Sequence, residues 1–169
     1  MPLTVIATAG AVDANSYCTL AEAEAYFLGR LHITDDWTAA IAADKNAALV
    51  WATSVLDSEM NWYGWAISET QALRWPRSGL MTPDHYCVTS VDIPTFLKRA
   101  TAEFAMHLIA ADRLADADTM GFKKIAVGSI QITTDKFDRK SIIPKAVWDI
   151  VRPYGSKFSG SSSTRLIRG

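Results

Sequence analysis

The chain has 169 residues, of which 49% are hydrophobic and 21% charged, with six Trp and a formal net charge of −1. That much apolar surface can offset the entropy of ordering one domain, which excludes a wholly disordered chain, and the near-neutral balance excludes a general attraction to nucleic acid or anionic membrane. No apolar run approaches the roughly 20 residues that would span a bilayer, and Met1–Ala11 has no basic region ahead of its short apolar run; with Cys18 and Cys87 too few for a disulfide framework, we expect a reduced, cytoplasmic product whose thiols are packed and not paired.

Residues 1–15 read as an extended arm, and Asn15-Ser16-Tyr17-Cys18-Thr19 leads into a first helix. Thr19 and Glu22 fit a capping box, in which each side chain satisfies a free N–H at the helix start. Leu20, Ala23, Phe27, Leu28 and Leu31 share one face at helical spacing. A second helix should begin near Thr34-Asp35-Asp36, whose acids suit the positive end of the dipole. Its stripe is Trp37, Ala40, Ile41, Ala48, Trp51 and Val55, widened by Leu49, Ala52 and Leu56, and it should end between Asp57 and Met60. Asn61–Trp65 reads as a packed aromatic loop, and Leu73–Gly79 as a turn in which Pro76 forces Trp75 out of helical geometry. A longer loop runs to Asp92.

Ile93-Pro94 opens a third helix, with proline near the first turn where a missing N–H costs nothing. Leu97, Ala100, Phe104, Leu108 and Ala111 repeat along it, and it fades in the acidic stretch Asp112–Asp118. The period then changes to that of a strand. Ile125 and Val127 precede Gly128-Ser129, and Ile130 and Ile132 follow, so a two-residue turn would set Val127 against Ile130 and Ile125 against Ile132 on one apolar side. Such a hairpin must pack on the helices or on another subunit. A short fourth helix spans Ile143–Val151. The expected fold is mainly α: a small bundle of about four helices with one β-hairpin near 121–134 as a domain over 1–155, then an extended, flexible basic tail over 156–169.

The tail carries a charge signal. Residues 139–169 hold a net +6 and residues 1–138 a net −7, so the basic end is suited to an acidic surface, such as that of a neighbour. A purely solvating tail has no use for Leu166 and Ile167 between Arg165 and Arg168, which together with Phe158 read as a docking peptide.

Patterns that carry chemistry are few. Asp84-His85-Tyr86-Cys87 holds a thiol and an imidazole, but near neighbours in sequence rarely align for nucleophilic attack. His32, His85 and His107 stand singly, without metal-ligand spacing; Glu103 and His107, at i, i+4, read as a surface pair; and Asp112, Asp116 and Asp118 lack the calcium-loop pattern. No phosphate-cradling glycine loop occurs. We therefore expect no enzyme, no metal and no cofactor. Trp62, Trp65 and Trp75 with Arg74 and Arg77 could form a stacking and phosphate-binding surface; the simpler expectation is tryptophans in the core and arginines bonded within loops.

Several segments together resemble one family. These are Ala14-Asn15-Ser16-Tyr17, Thr19–Ala23, Ala25-Tyr26-Phe27, Trp37, the helix bearing Lys45, Ala48-Leu49, Ala52-Thr53 and Leu56-Asp57, the turn Leu73-Arg74-Trp75-Pro76-Arg77-Ser78-Gly79, Ile93-Pro94, Val127-Gly128-Ser129 and Arg165–Gly169. In order and spacing, from Ala14 to Gly169, the chain resembles the head–tail connector (adaptor) proteins of tailed bacteriophages and prophages, some of which carry a DnaT-like single-stranded-DNA-binding label. The resemblance implies a non-enzymatic virion structural protein, found in the neck between head and tail and in the host cytoplasm during assembly. It would form a ring, commonly a dodecamer, that docks on the portal protein, extends the channel for genomic double-stranded DNA without sequence specificity, and joins a downstream neck or tail protein. On this view Phe158 and Arg165, Leu166, Ile167 and Arg168 dock the portal, Ile125, Val127, Ile130 and Ile132 lie at a subunit or ring interface, and Arg74, Trp75, Pro76 and Arg77 form a structural turn. The alternative is a single-stranded-DNA-binding replication accessory protein.

Overall fold

The computed structural model describes residues 3–115 and 141–158, together with the backbone of 124–127 and 130–133. Among them are five helices: α1 (Leu20–Phe27), α2 (Asp35–Ala39), α3 (Ala42–Glu59), α4 (Thr95–Ala110) and α5 (Lys145–Val151). Short strands complete the fold: β1 (Met60–Trp62), β2 (Trp65–Ala66), β3 (Arg77–Ser78), β4 (Lys124–Val127), β5 (Ile130–Thr133) and β6 (Gly155–Lys157). They form antiparallel pairs, β1 with β6, β2 with β3 and β4 with β5. The fold is thus mixed and modestly helical, not the mainly α bundle the periodicity implies. The difference lies in the aromatic stretch after α3, which pairs as strand where it reads as loop.

The hub is α4. From Ala100 to Met106 every residue is buried, so this helix has no solvent face over two turns, the mark of a helix enclosed by its neighbours. It packs against α3 most extensively, then α5, with α1 and α2 covering the remaining side. Ala100, Ala102 and Ala105 keep the approach close, while Leu97, Phe104 and Met106 fill the volume between. The buried hydroxyl of Thr101 is satisfied by the carbonyl of Leu97 one turn back, at 2.9 Å, which removes the cost of an unpaired polar group.

The start of α1 follows its capping box: Thr19 Oγ1 accepts from the Glu22 N–H, and Glu22 accepts from the Thr19 N–H at 2.8 Å. The helix then stops at Phe27, and Leu28 and Leu31, assigned to its apolar face, are 90% and 89% exposed. The single helix expected over 34–59 is two. Ala40 and Ile41 adopt extended backbone between α2 and α3, which turns Ile41 and Trp51 outward while Trp37 sinks against Phe27, ring centroids 4.8 Å apart. Neither proline nor glycine marks that break. The hairpin β4–β5 pairs in the expected register, Ile125 with Ile132 and Val127 with Ile130; the side chains of these residues lie outside the description.

The arm before α1 is less free than it reads. Asn15 ties it into a loop, accepting from the Ile6 N–H at 2.8 Å and donating to Thr4 O at 2.9 Å. Ser16, Tyr17 and Cys18 are then fully buried, and the Tyr17 N–H donates to Thr53 Oγ1 of α3. Cys18 is packed as expected, whereas Cys87 is exposed and sits in a bridge with Met81. Replacing Leu97 with Ala, at the centre of α4's packing, should lower stability by about 2–5 kcal/mol, read as a lower urea midpoint at unchanged m-value.

Candidate interaction surfaces

Asp57, near the end of α3, organises the face on which the Arg74–Arg77 turn lies. Its carboxylate accepts from the Tyr17 hydroxyl at 2.5 Å, from Trp62 Nε1 at 3.2 Å and from the Arg74 N–H at 3.2 Å. One side chain thus joins the N-terminal arm, β1 and the turn. Burial raises the Asp57 pKa, and the three donors oppose that rise. Burial first, and then the charge of Asp57, hold Tyr17 well above the usual tyrosine value.

The turn is held by its own hydrogen bonds. The Trp75–Pro76 peptide is cis. Arg77 spends its guanidinium on carbonyls of Tyr63, Trp62, Gly64 and Arg74, which stitches the turn to the β1–β2 connection. Trp62 and Trp75 are buried edge to face, and Trp75, Phe96 and Tyr154 continue the aromatic row, the last two stacked at 3.7 Å. Gly79, at φ +79°, lies under the Trp65 ring, where a Cβ would come within 2.4 Å of it. Of the three tryptophans considered for base stacking, only Trp65 is exposed, at 63%. Around it in sequence stand exposed Tyr63 and Ile67, and Met81 and Tyr86 are exposed in the following loop. In that loop His85 takes φ +65° and closes a turn on Thr82, its ring and Cys87 both lying at the surface.

The residues expected to dock or to lie at an interface divide. Phe158 continues the β6 edge: its N–H donates to Glu59 O at 2.9 Å, and the Arg74 guanidinium lies 5.6 Å from its ring centroid. Gly155–Lys157, at the boundary of 155 that composition suggests, pair with β1. Arg165, Leu166, Ile167 and Arg168 lie outside the described residues, as do the side chains of Ile125, Val127, Ile130 and Ile132.

Sequence reasoning missed a groove between α1 and the first turns of α4. Glu22, Ala25, Tyr26, Gly29 and Arg30 line one side and Thr95, Lys98 and Arg99 the other, enclosing ≈ 680 Å³. Beneath it lies Glu103, expected at the surface with His107 but 3% exposed. It accepts from the Tyr26 hydroxyl at 2.6 Å and from Arg30 at 2.5 Å, so its burial is compensated. Burial, then the bond to Glu103, pushes Tyr26 up to about 12. Lys98 pairs with Glu22 at 2.6 Å, and although burial pulls Glu22 upward, Lys98 and Thr19 outweigh it and the carboxyl titrates low. Arg99 is exposed and forms no ion pair among the described residues. The i, i+4 spacing of Tyr26 and Arg30 with the i, i+3, i+4 set Glu22, Ala25 and Tyr26 was the available signal, but only the packing of α1 on α4 reveals its partner.

A family model described as "Putative DnaT-like ssDNA binding protein" matches residues 1–169. The chain belongs to that family. Neither the curated proteins nor the solved structures yield a match.

The Tyr17 and Tyr26 hydroxyls and the Cys18 thiol give the DnaT-like chain a defined alkaline response. Folded Tyr17, Tyr26 and Cys18 hold their protons above the ordinary values of 10.0 for tyrosine and 9.0 for cysteine, with Cys18 raised to about 12 by burial. As pH climbs past those ordinary values the unfolded chain binds fewer protons than the folded one, so stability present at neutral pH is lost upward through this range. Tyr17→Phe should make that loss shallower and, by removing the bond to Asp57, cost about 1–3 kcal/mol at neutral pH. Urea titrations across pH read both effects.

Proposed function

We propose that the chain is a non-enzymatic head–tail connector: a virion protein that assembles as a ring on the portal, extends the DNA channel and joins it to a neck or tail component. The reading is supported by adhesive surface beyond what the core uses. Around a body whose core is closed by α4, Leu28, Leu31, Tyr86, Val91, Ile41 and Trp65 all remain more than 60% exposed. Where such side chains adjoin, they offer apolar surface to a protein partner. The sequence after Phe158 is basic and carries Leu166 and Ile167 between Arg165 and Arg168. Docking such a segment converts tail entropy into interface area.

Because Gly155–Lys157 belong to the β1–β6 sheet, the informative truncation begins after Phe158. A chain ending there should unfold at the same temperature as the full chain and lose capture by immobilised portal protein. Capture at full strength would refute tail docking.

The family's description favours a second reading, binding of single-stranded DNA. Exposed Trp65 and Tyr63 could stack on bases, but Trp62 and Trp75 are enclosed and Arg77 is engaged by carbonyls. On the connector reading, filter binding to oligothymidylate should be weak, with little retained at moderate salt. Tight binding with a steep salt slope, lost on Trp65→Ala, would transfer the function to the second reading.

A further inference from the structure

We infer that copies of this chain join head to tail, the exposed Phe158 end of one body seating on the apolar, acidic end of the next. The inference rests on the self-assembly proposed above and names its contact. Both surfaces lie within the described residues, at opposite ends of α3.

The receiving end is formed where α1 finishes and α3 begins. These helices run antiparallel: the Tyr17 N–H, just before α1, donates to Thr53 Oγ1 in the second half of α3, and Glu24 pairs with Lys45, near the start of α3, at 2.8 Å. One turn on from Glu24 stands Leu28, and one turn back from Lys45 stands Ile41, so both fall at the same end of the pair. Leu28 and Leu31, 90% and 89% exposed, are the most exposed large apolar residues described, and Ile41 is 65% exposed. Acids surround them. Asp35 and Asp36 open α2 and Asp44 lies in the first turn of α3; all three are exposed, and none forms an ion pair among the described residues. The neighbouring cations are already committed, Lys45 to Glu24 and Arg30 to buried Glu103.

The opposite end of α3 is aromatic and basic. Phe158 is fastened to the last residue of the helix, its N–H donating to Glu59 O at 2.9 Å, and is itself 49% exposed. The exposed Arg74 guanidinium lies 5.6 Å from its ring centroid. Exposed Lys157, next in β6, lies over the Trp148 ring at 4.8 Å and donates to Ser141 Oγ, without a carboxylate partner among the described residues. Arg152, one turn beyond Trp148, is exposed and shares Asp149 with Lys145. The 18 residues of α3 set the two ends about 27 Å apart.

Each end offers what the other lacks: branched apolar side chains with free carboxylates on one, an aromatic ring with cations on the other. Their contact removes apolar area from water, and the opposed charges disfavour the meeting of like ends. Two different surfaces make the contact heterologous, and it closes into a ring when the rotation per copy allows. A polynucleotide could follow Arg74, Arg152 and Lys157, but it would leave Leu28, Leu31 and Ile41 uncovered and be repelled by the aspartates beside them. A second copy covers both ends.

Charge reversal tests the contact in the full chain. One variant carries Asp35→Lys and Asp36→Lys; the other carries Arg152→Glu and Lys157→Glu. All four positions are exposed, so thermal unfolding should match the wild type. Sedimentation across a concentration series at low salt should show self-association weakened roughly tenfold or more in each variant alone, because both ends then carry one sign. An equimolar mixture should restore it, since every contact between unlike variants again joins opposite signs. Leu28→Ser with Leu31→Ser should weaken association comparably, and at raised salt as well. A wild-type chain that stays monomeric at every concentration, wild-type-like association of any variant, or a mixture that fails to recover would overturn the inference. Portal capture through residues 159–169 is read separately: its absence in a chain that associates as described would fail the connector reading and leave this contact standing. Oligothymidylate binding abolished by Arg152→Glu with Lys157→Glu, at unchanged self-association, would assign the basic face to nucleic acid and overturn the inference.

Discussion

The rest of the structure depends on the enclosure of α4. A helix buried all round over Ala100–Met106 cannot exist unless other elements cover every side of it, and the order of elements follows from that need. α3 supplies the widest partner, α5 returns from beyond the hairpin to cover a second side, and the α1–α2 pair covers the third. The polar exceptions in this helix are those with local or cross-helix partners: Thr101 bonds back to Leu97, and Glu103 is met by Tyr26 and Arg30 of the α1 region. Leaving Glu103 without those donors would place a carboxylate in the core uncompensated, so α1 is positioned by electrostatics as well as by packing.

A second organising contact lies at the far end of α3. Asp57 joins three segments distant in sequence, and Arg77 crosses the same region by bonding to backbone carbonyls. The turn is therefore bonded to the body at several points. Of its arginines, which resemble phosphate-binding residues in a bare sequence, Arg77 is occupied by carbonyls, while Arg74 is exposed beside Phe158.

What was legible in the sequence was local. The Thr19–Glu22 box, the Pro94 start of α4, its long apolar period and the hairpin register each follow from rules acting within a few residues, and the structure has them. What was not legible depended on distant partners. Glu103 reads as a surface acid until Tyr26 and Arg30 are brought to it. Residues 60–62 read as loop because their β partner, Gly155–Lys157, lies about ninety residues away. The break at Ala40–Ile41 has no glycine or proline to announce it; continuing α2 straight into α3 would leave Trp37 off Phe27, and packing decides against it. The α1–α4 groove was likewise invisible, since it is assembled from separate segments.

The function proposed for this DnaT-like family member is association with other proteins. The core consumes one set of apolar residues, and a second set remains exposed on a body followed by a basic C-terminal sequence. The most direct test is an electron-microscopic image of the full chain bound to portal protein. The account predicts a closed ring of this chain on the portal, with density for residues 159–169 against the portal surface. Copies arrayed instead along single-stranded DNA, with no ring at the portal, would contradict it.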